Sequence, residues 1–152
     1  MKSKLSILFF AIVAMMFVAC ESDDNEEQPL NNTYVGSFEV ASPSPALPPY
    51  AEDNSKFEIV MNKNKTLSLT MYDIKFNEKM PVRLNIAASN IAYTENDGNI
   101  TASVDSIVPT VAGVPMEKYI LYNLEIGLDD DNLDVDFKCI GFDVDYDGVL
   151  KK

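Results

Sequence analysis

From Thr33 onward, apolar residues recur at every second position, turn residues interrupt the runs, and no segment carries a helical period. A chain patterned this way makes short strands with one apolar face each. Such strands must close on themselves or stack as two sheets to bury those faces. The first run is Tyr34 to Ala41. Phe57, Ile59 and Met61 then alternate with polar residues, Asn62-Lys63-Asn64-Lys65 turns the chain, and Leu67, Leu69 and Met71 alternate back. Val82, Leu84 and Ile86 open another run directly after Pro81, and Ile91 and Tyr93 lead into Asn96-Asp97-Gly98, a hairpin signal. Ile100, Ala102 and Val104 continue beyond it. Tyr122, Leu124, Ile126 and Leu128 precede the turn Asp129-Asp130-Asp131-Asn132, and Leu133, Val135, Phe137 and Cys139 follow. Gly141 then breaks the pattern before Phe142, Val144 and Tyr146. Pro43, Pro45, Pro48 and Pro49 keep the segment after Ala41 out of a central strand, and Pro109 to Pro115 forms a second loop. The pattern predicts an all-β domain, an antiparallel up-and-down barrel of about eight strands, with a β-sandwich as the alternative.

The amino terminus follows a different logic. Lys2 and Lys4 precede an apolar stretch from Leu5 to Val18, which at 14 residues is short for a membrane-spanning helix. The sequence Phe17-Val18-Ala19-Cys20 resembles the bacterial lipobox, with Phe where Leu is usual at its first position. The resemblance implies that residues 1–19 are a lipoprotein signal peptide and that Cys20 receives the lipid. Two or three acyl chains suffice for stable membrane attachment. Glu21-Ser22-Asp23-Asp24-Asn25-Glu26-Glu27 has nothing to bury, so residues 20–30 are read as an acidic tether ahead of a domain over 31–152. That run also resembles the acidic surface-export signal of some Gram-negative lipoproteins, which implies an outer-membrane anchor facing the cell exterior; a periplasm-facing anchor is the alternative, and a plain hydrated spacer remains open.

Charge and missing residue types narrow the chemistry. Removal of Lys2 and Lys4 with the signal leaves 10 basic residues against 24 acidic ones, a net charge of −14. Such a surface repels phosphate backbones and argues against nucleic-acid binding. The chain has no histidine, the commonest general base and transition-metal ligand, and a single arginine, Arg83. Cys139, without an activating histidine, reads as a small buried apolar residue. No enzyme is expected, since nothing places two acids together in an apolar pocket.

Three further segments carry a family resemblance. Tyr34-Val35-Gly36-Ser37-Phe38-Glu39-Val40 opens the domain, Met80-Pro81-Val82-Arg83-Leu84-Asn85-Ile86 follows a strand and turn, and Asn132-Leu133-Asp134-Val135-Asp136-Phe137 leads to the last strand. Their order resembles the calycin-like β-barrel domain of bacterial surface lipoproteins and implies a lipocalin-like shape, with no catalytic residues to carry over. The long proline-rich first loop departs from that pattern.

Two site candidates follow. Asp143-Val144-Asp145-Tyr146-Asp147-Gly148 matches the first half of a calcium-binding loop, although no acid stands at the twelfth position and no helix flanks it. The competing reading makes Asp143, Asp145 and Asp147 the outer face of a strand. If Ile140-Gly141 is a two-residue turn, Lys138 then faces Asp143, Asp136 faces Asp145 and Asp134 faces Asp147, the last two being like-charge pairs. The second candidate is the barrel interior, where Phe57, Met61, Leu69, Tyr122, Phe137 and Tyr146 share the apolar face and either line a small apolar or glycan-derived ligand or form an ordinary core. An interaction module docking on an outer-membrane protein is the rival. No cofactor is expected beyond calcium at that aspartate run.

Overall fold

The computed structural model describes residues 30–152. The expected signal peptide over 1–19, the expected lipidation site Cys20 and the acidic run Glu21–Glu27 lie outside the described residues.

The chain forms ten strands: β1 (Leu30–Ala41), β2 (Tyr50–Met61), β3 (Thr66–Ile74), β4 (Leu84–Asn96), β5 (Asn99–Ile107), β6 (Thr110–Val111), β7 (Val114–Pro115), β8 (Leu121–Asp129), β9 (Asn132–Cys139) and β10 (Phe142–Leu150). Eight of them make the wall, each pairing antiparallel with the next, while β1–β10 and β3–β4 pairings complete the circle. The architecture is the closed up-and-down barrel that the alternation predicts, and closure excludes the sandwich. The short β6–β7 hairpin pairs with β4 at Ile86 and Ala87. It replaces the plain loop expected between Pro109 and Pro115, because Ala112 and Gly113 both adopt positive φ, 50° and 77°, and form a tight turn.

Strands β9 and β10 alternate outward and inward along almost their whole length. Strands β2, β3, β4 and β8 do not. Each contains an Asn or Asp with positive φ at a shift of register: Asn54, Asp73, Asn90 and Asn123. These are β-bulges, where one extra residue fits into a strand because a short polar side chain tolerates the left-handed conformation. A bulge resets which residues point inward. Met71 and Ile74, Ala88 and Ile91, and Leu121 and Leu124 are therefore all buried although three positions apart.

The interior is one cluster of buried apolar side chains contributed by all eight wall strands. Phe57 and Tyr146 stack face to face, with centroids 3.7 Å apart and planes 3° from parallel. Tyr146 Oη donates to the Ser55 carbonyl at 3.2 Å, which satisfies the one polar atom of that buried ring. Its ring lies against Gly148, where an added Cβ would come within 2.6 Å of Tyr146 Cζ. Gly148 pairs with Gly36, where an added Cβ would come within 2.7 Å of the Asp147 carbonyl carbon. The glycine pair thus lets β1 and β10 approach closely beneath the stacked rings.

The two ends of the barrel differ. At one end lie Leu30 and the tight connections Asn62–Lys65, Asp97–Gly98 and Asp130–Asp131. The carboxyl terminus is fastened there too: Leu150 N donates to Asp131 O at 2.7 Å, Lys151 N donates to Thr33 O at 2.8 Å, and Lys152 pairs with Asp131 at 2.7 Å. The other end carries the long connections 42–49, 75–83 and 108–120, with only Ile140–Gly141 as a tight turn.

Candidate binding cleft at the loop end

The loop end is closed by side chains from its connections. Phe76, in the loop between β3 and β4, is buried and stacks on Tyr119 with centroids 6.2 Å apart. Tyr119 belongs to a single 3-10 turn, Glu117–Tyr119, whose last amide donates to Met116 O at 2.9 Å. Met116 N in turn donates to Pro109 O at 2.9 Å, tying this turn to the β6–β7 hairpin. Cys139 lies under it, its thiol donating to Tyr119 O at 3.5 Å. Burial pushes that thiol up to about 12, so it is the inert apolar group that the sequence predicts.

Above this plug opens a cleft of about 460 Å³. Its walls are mainly apolar: Phe76, Met80, Val82, Tyr119, Ile140 and Phe142. Val82 is 58% exposed and Ile140 is 43% exposed. The sequence pattern places Val82 at the start of an inward-facing strand, but β4 begins at Leu84 and Val82 remains in the loop. The bulge at Asp73 opens the end of the β3–β4 ladder, and Arg83 is bonded across the gap. It donates to the Asp73 carbonyl at 2.7 Å and to both oxygens of Glu52, at 3.0 Å for Oε2. Tyr50 donates to the same carboxylate, and Asn85 Oδ1 accepts from Asp73 N at 2.8 Å. The guanidinium holds the Glu52 carboxyl below its ordinary range. This clamp fixes the base of the cleft's loop.

Ile140 stands out. Its φ is +53° and that of Gly141 is +81°, so the pair forms the two-residue hairpin turn expected for Ile140-Gly141. Asn or Asp normally fills the first position, as Asp97 does before Gly98 at φ +51°. A β-branched side chain there is strained, and strain of this kind concentrates at functional positions.

The predicted site residues are not gathered into a hollow. Phe57, Leu69, Phe137 and Tyr146 are buried in the core, and Met61 is half-buried at the opposite end, paired with Leu30. Tyr122 does not share their face. The bulge at Asn123 turns it outward, 48% exposed, and gives its inward place to Leu121. Of the two readings of the interior, the burial of Phe57, Leu69, Phe137 and Tyr146 matches the ordinary core, in which a guest would have to separate Phe57 from Tyr146.

Asp143, Asp145 and Asp147 occupy the outer face of β10, in the register predicted for an Ile140-Gly141 turn. Asp143 pairs with Lys138 at 2.9 Å. Asp145 faces Asp136 and Asp147 faces Asp134. Partial desolvation, together with the Asp136 carboxylate opposite, raises Asp145 to about 6. Desolvation and Asp147 likewise raise Asp134. Among the described residues no group of three or more His, Cys, Asp or Glu side chains is placed to hold a metal ion. Asp134 and Asp136 border a shallow outer groove that is also lined by Thr94, Thr101, Glu125 and Gly127.

Sequence reasoning overlooked the cleft itself, along with Phe76, Met80, Tyr119 and Ile140. The available signals were an apolar Met80-Pro81-Val82 run inside a loop and an isoleucine in a turn that favours asparagine. No protein-family model, curated protein or solved structure matches the chain.

Proposed function

We propose that this chain is a lipid-anchored cell-envelope protein whose non-catalytic, calycin-like barrel binds a small apolar ligand in the cleft at its loop end. The observation that carries this reading is the cleft of about 460 Å³, open to solvent, with exposed Val82 and strained Ile140 on its rim. Its size falls in the range of small-molecule sites, and its walls have the usual apolar character. The lipobox-like sequence supports the anchor. A lipid on Cys20 would lie ten residues before Leu30, at the barrel end opposite the cleft. The cleft would then face away from the membrane, at the outer surface if the acidic run acts as an export signal.

A second reading draws on Val108 and Val114, which are exposed on and beside the β6–β7 hairpin at the same end. With Val82 and Ile140 they offer apolar surface to an outer-membrane protein. Native mass spectrometry of the full chain purified from its own host separates the two. A retained small molecule that disappears in Val82→Asp, with the fold intact by circular dichroism, is the expected result. A chain with no retained ligand that instead co-purifies in fixed ratio with a membrane protein would support the docking reading and overturn the first.

A further inference from the structure

The charged side chains that line the cleft are opposite in sign to the net charge of the protein. The chain carries 24 acidic residues against 12 basic ones, yet the cleft's lining contains Lys79 and Lys118 and no acid. Chance placement on so acidic a surface favours carboxylates at any rim. Glu78 and Glu117, the sequence neighbours of the two lysines, are not among the lining residues; Glu78 lines, together with Asn77 and Lys79, a small adjoining cleft beside Leu47 and Pro48. Neither lysine belongs to a salt bridge among the described residues, where the ion pairs are Arg83–Glu52, Lys138–Asp143 and Lys152–Asp131. Lys118 sits 5.7 Å from the centroid of the Tyr119 ring, so its ammonium is held at the aromatic wall. The two lysines come from separate loops, 75–83 and 108–120, and both line the same mainly apolar cleft.

We infer that the ligand is an anionic amphiphile, with an apolar body seated against Val82, Ile140 and Phe142 and a carboxylate or comparable anionic head held by Lys79 and Lys118. The inference rests on the proposed use of the cleft and adds the chemical class of its occupant. An apolar molecule with no charge gains nothing from two ammonium groups, and a cationic one is repelled by them. The field of the whole protein opposes anions at long range, so the lysines act at contact distance and select for molecules that the cleft also grips by apolar area.

Matched twelve-carbon probes test this: dodecanoate, dodecanol and dodecyltrimethylammonium, each kept below its micelle concentration. Binding to the full chain is measured by isothermal titration calorimetry. Dodecanoate is expected to bind tightest, with an affinity that weakens as salt rises and falls about fivefold for each of Lys79→Ala and Lys118→Ala, the scale of an exposed charge pair. The double Lys→Arg variant should retain it. Equal binding of dodecanoate and dodecanol, each lost in Val82→Asp, would overturn the anionic head while leaving the cleft in use. Binding of no probe, or binding indifferent to Val82→Asp, would remove both the cleft and its proposed occupant.

Discussion

Replacing Asp145 with Asn should stabilise the barrel at neutral pH and do nothing for it in mild acid. Asp145 faces Asp136 across the β9–β10 ladder, and Asp147 lies two positions along. Desolvation and these neighbours raise its carboxyl from an ordinary 3.8 to about 6. That difference corresponds to about 3 kcal/mol if undamped. The side chain is on the exposed outer face, so solvent screening reduces the figure to about 1 kcal/mol, in line with like charges placed opposite one another in a sheet. The folded-state value lies above the unfolded one, so the folded protein binds more protons between about pH 4 and 6. Stability therefore rises as pH falls through this window, and the like-charge cost is fully present above it. Urea unfolding followed by far-ultraviolet circular dichroism, at pH 7.5 and pH 4, measures the difference. Asp145→Asn is expected to gain about 1 kcal/mol at the higher pH and nothing at the lower, and salt should shrink the gain. Glu95→Gln, an exposed acid opposite Ile100, controls for the simple loss of one negative charge. An equal gain at both pH values, or the same gain in the control, would refute the pairing argument.

Two other substitutions and one alkylation experiment probe the remaining features. Gly148→Ala should destabilise by about 1–3 kcal/mol, because its Cβ displaces the Tyr146 ring from Phe57 and from the Ser55 carbonyl; near-ultraviolet circular dichroism of the tyrosines should collapse with it. Cys139 should resist alkylation at pH 8 in the native protein and react at once in urea, since burial raises its thiol to about 12. Ile140→Asn should raise stability by about 1 kcal/mol by relieving the strain at φ +53°, read as a higher melting temperature.

The barrel was legible because alternation holds along β9 and β10 and on either side of the bulges elsewhere, and because Asp97-Gly98 and Ile140-Gly141 sit where two-residue turns must be. The like-charge register followed from that second turn alone. What escaped the period-two reading was every bulge. Yet three of the four bulges share a signature: Met71-Tyr72-Asp73-Ile74, Ala88-Ser89-Asn90-Ile91 and Leu121-Tyr122-Asn123-Leu124 each place two buried residues three apart with Asn or Asp before the second. Asn or Asp is poorly suited to a regular strand and well suited to a left-handed residue, so its presence there marks the break in register. Reading through it sent Tyr122 to the wrong face. The cleft was illegible for a different reason: it joins residues 76–84, 118–119 and 140–142, which only barrel closure brings together.

A packed interior decides where a barrel like this can bind. Opening a pocket between the strands would separate the stacked Phe57 and Tyr146 and leave a cavity costing several kcal/mol, a large share of the stability of a domain this size. The loop end bears no such cost, because Val82 and Ile140 are already exposed there. Ile140 makes the same point from the side of strain. The chain uses Asp before Gly at the opposite end, where the turn has only to turn, and isoleucine where the turn forms part of the cleft wall. If stability alone governed both turns, the second would carry the same polar residue as the first. The two effects of Ile140→Asn should therefore run in opposite directions, with a higher melting temperature and weaker ligand binding. A variant that gains stability and loses no binding would reduce Ile140 to an unoptimised turn residue and remove strain as an argument for the cleft.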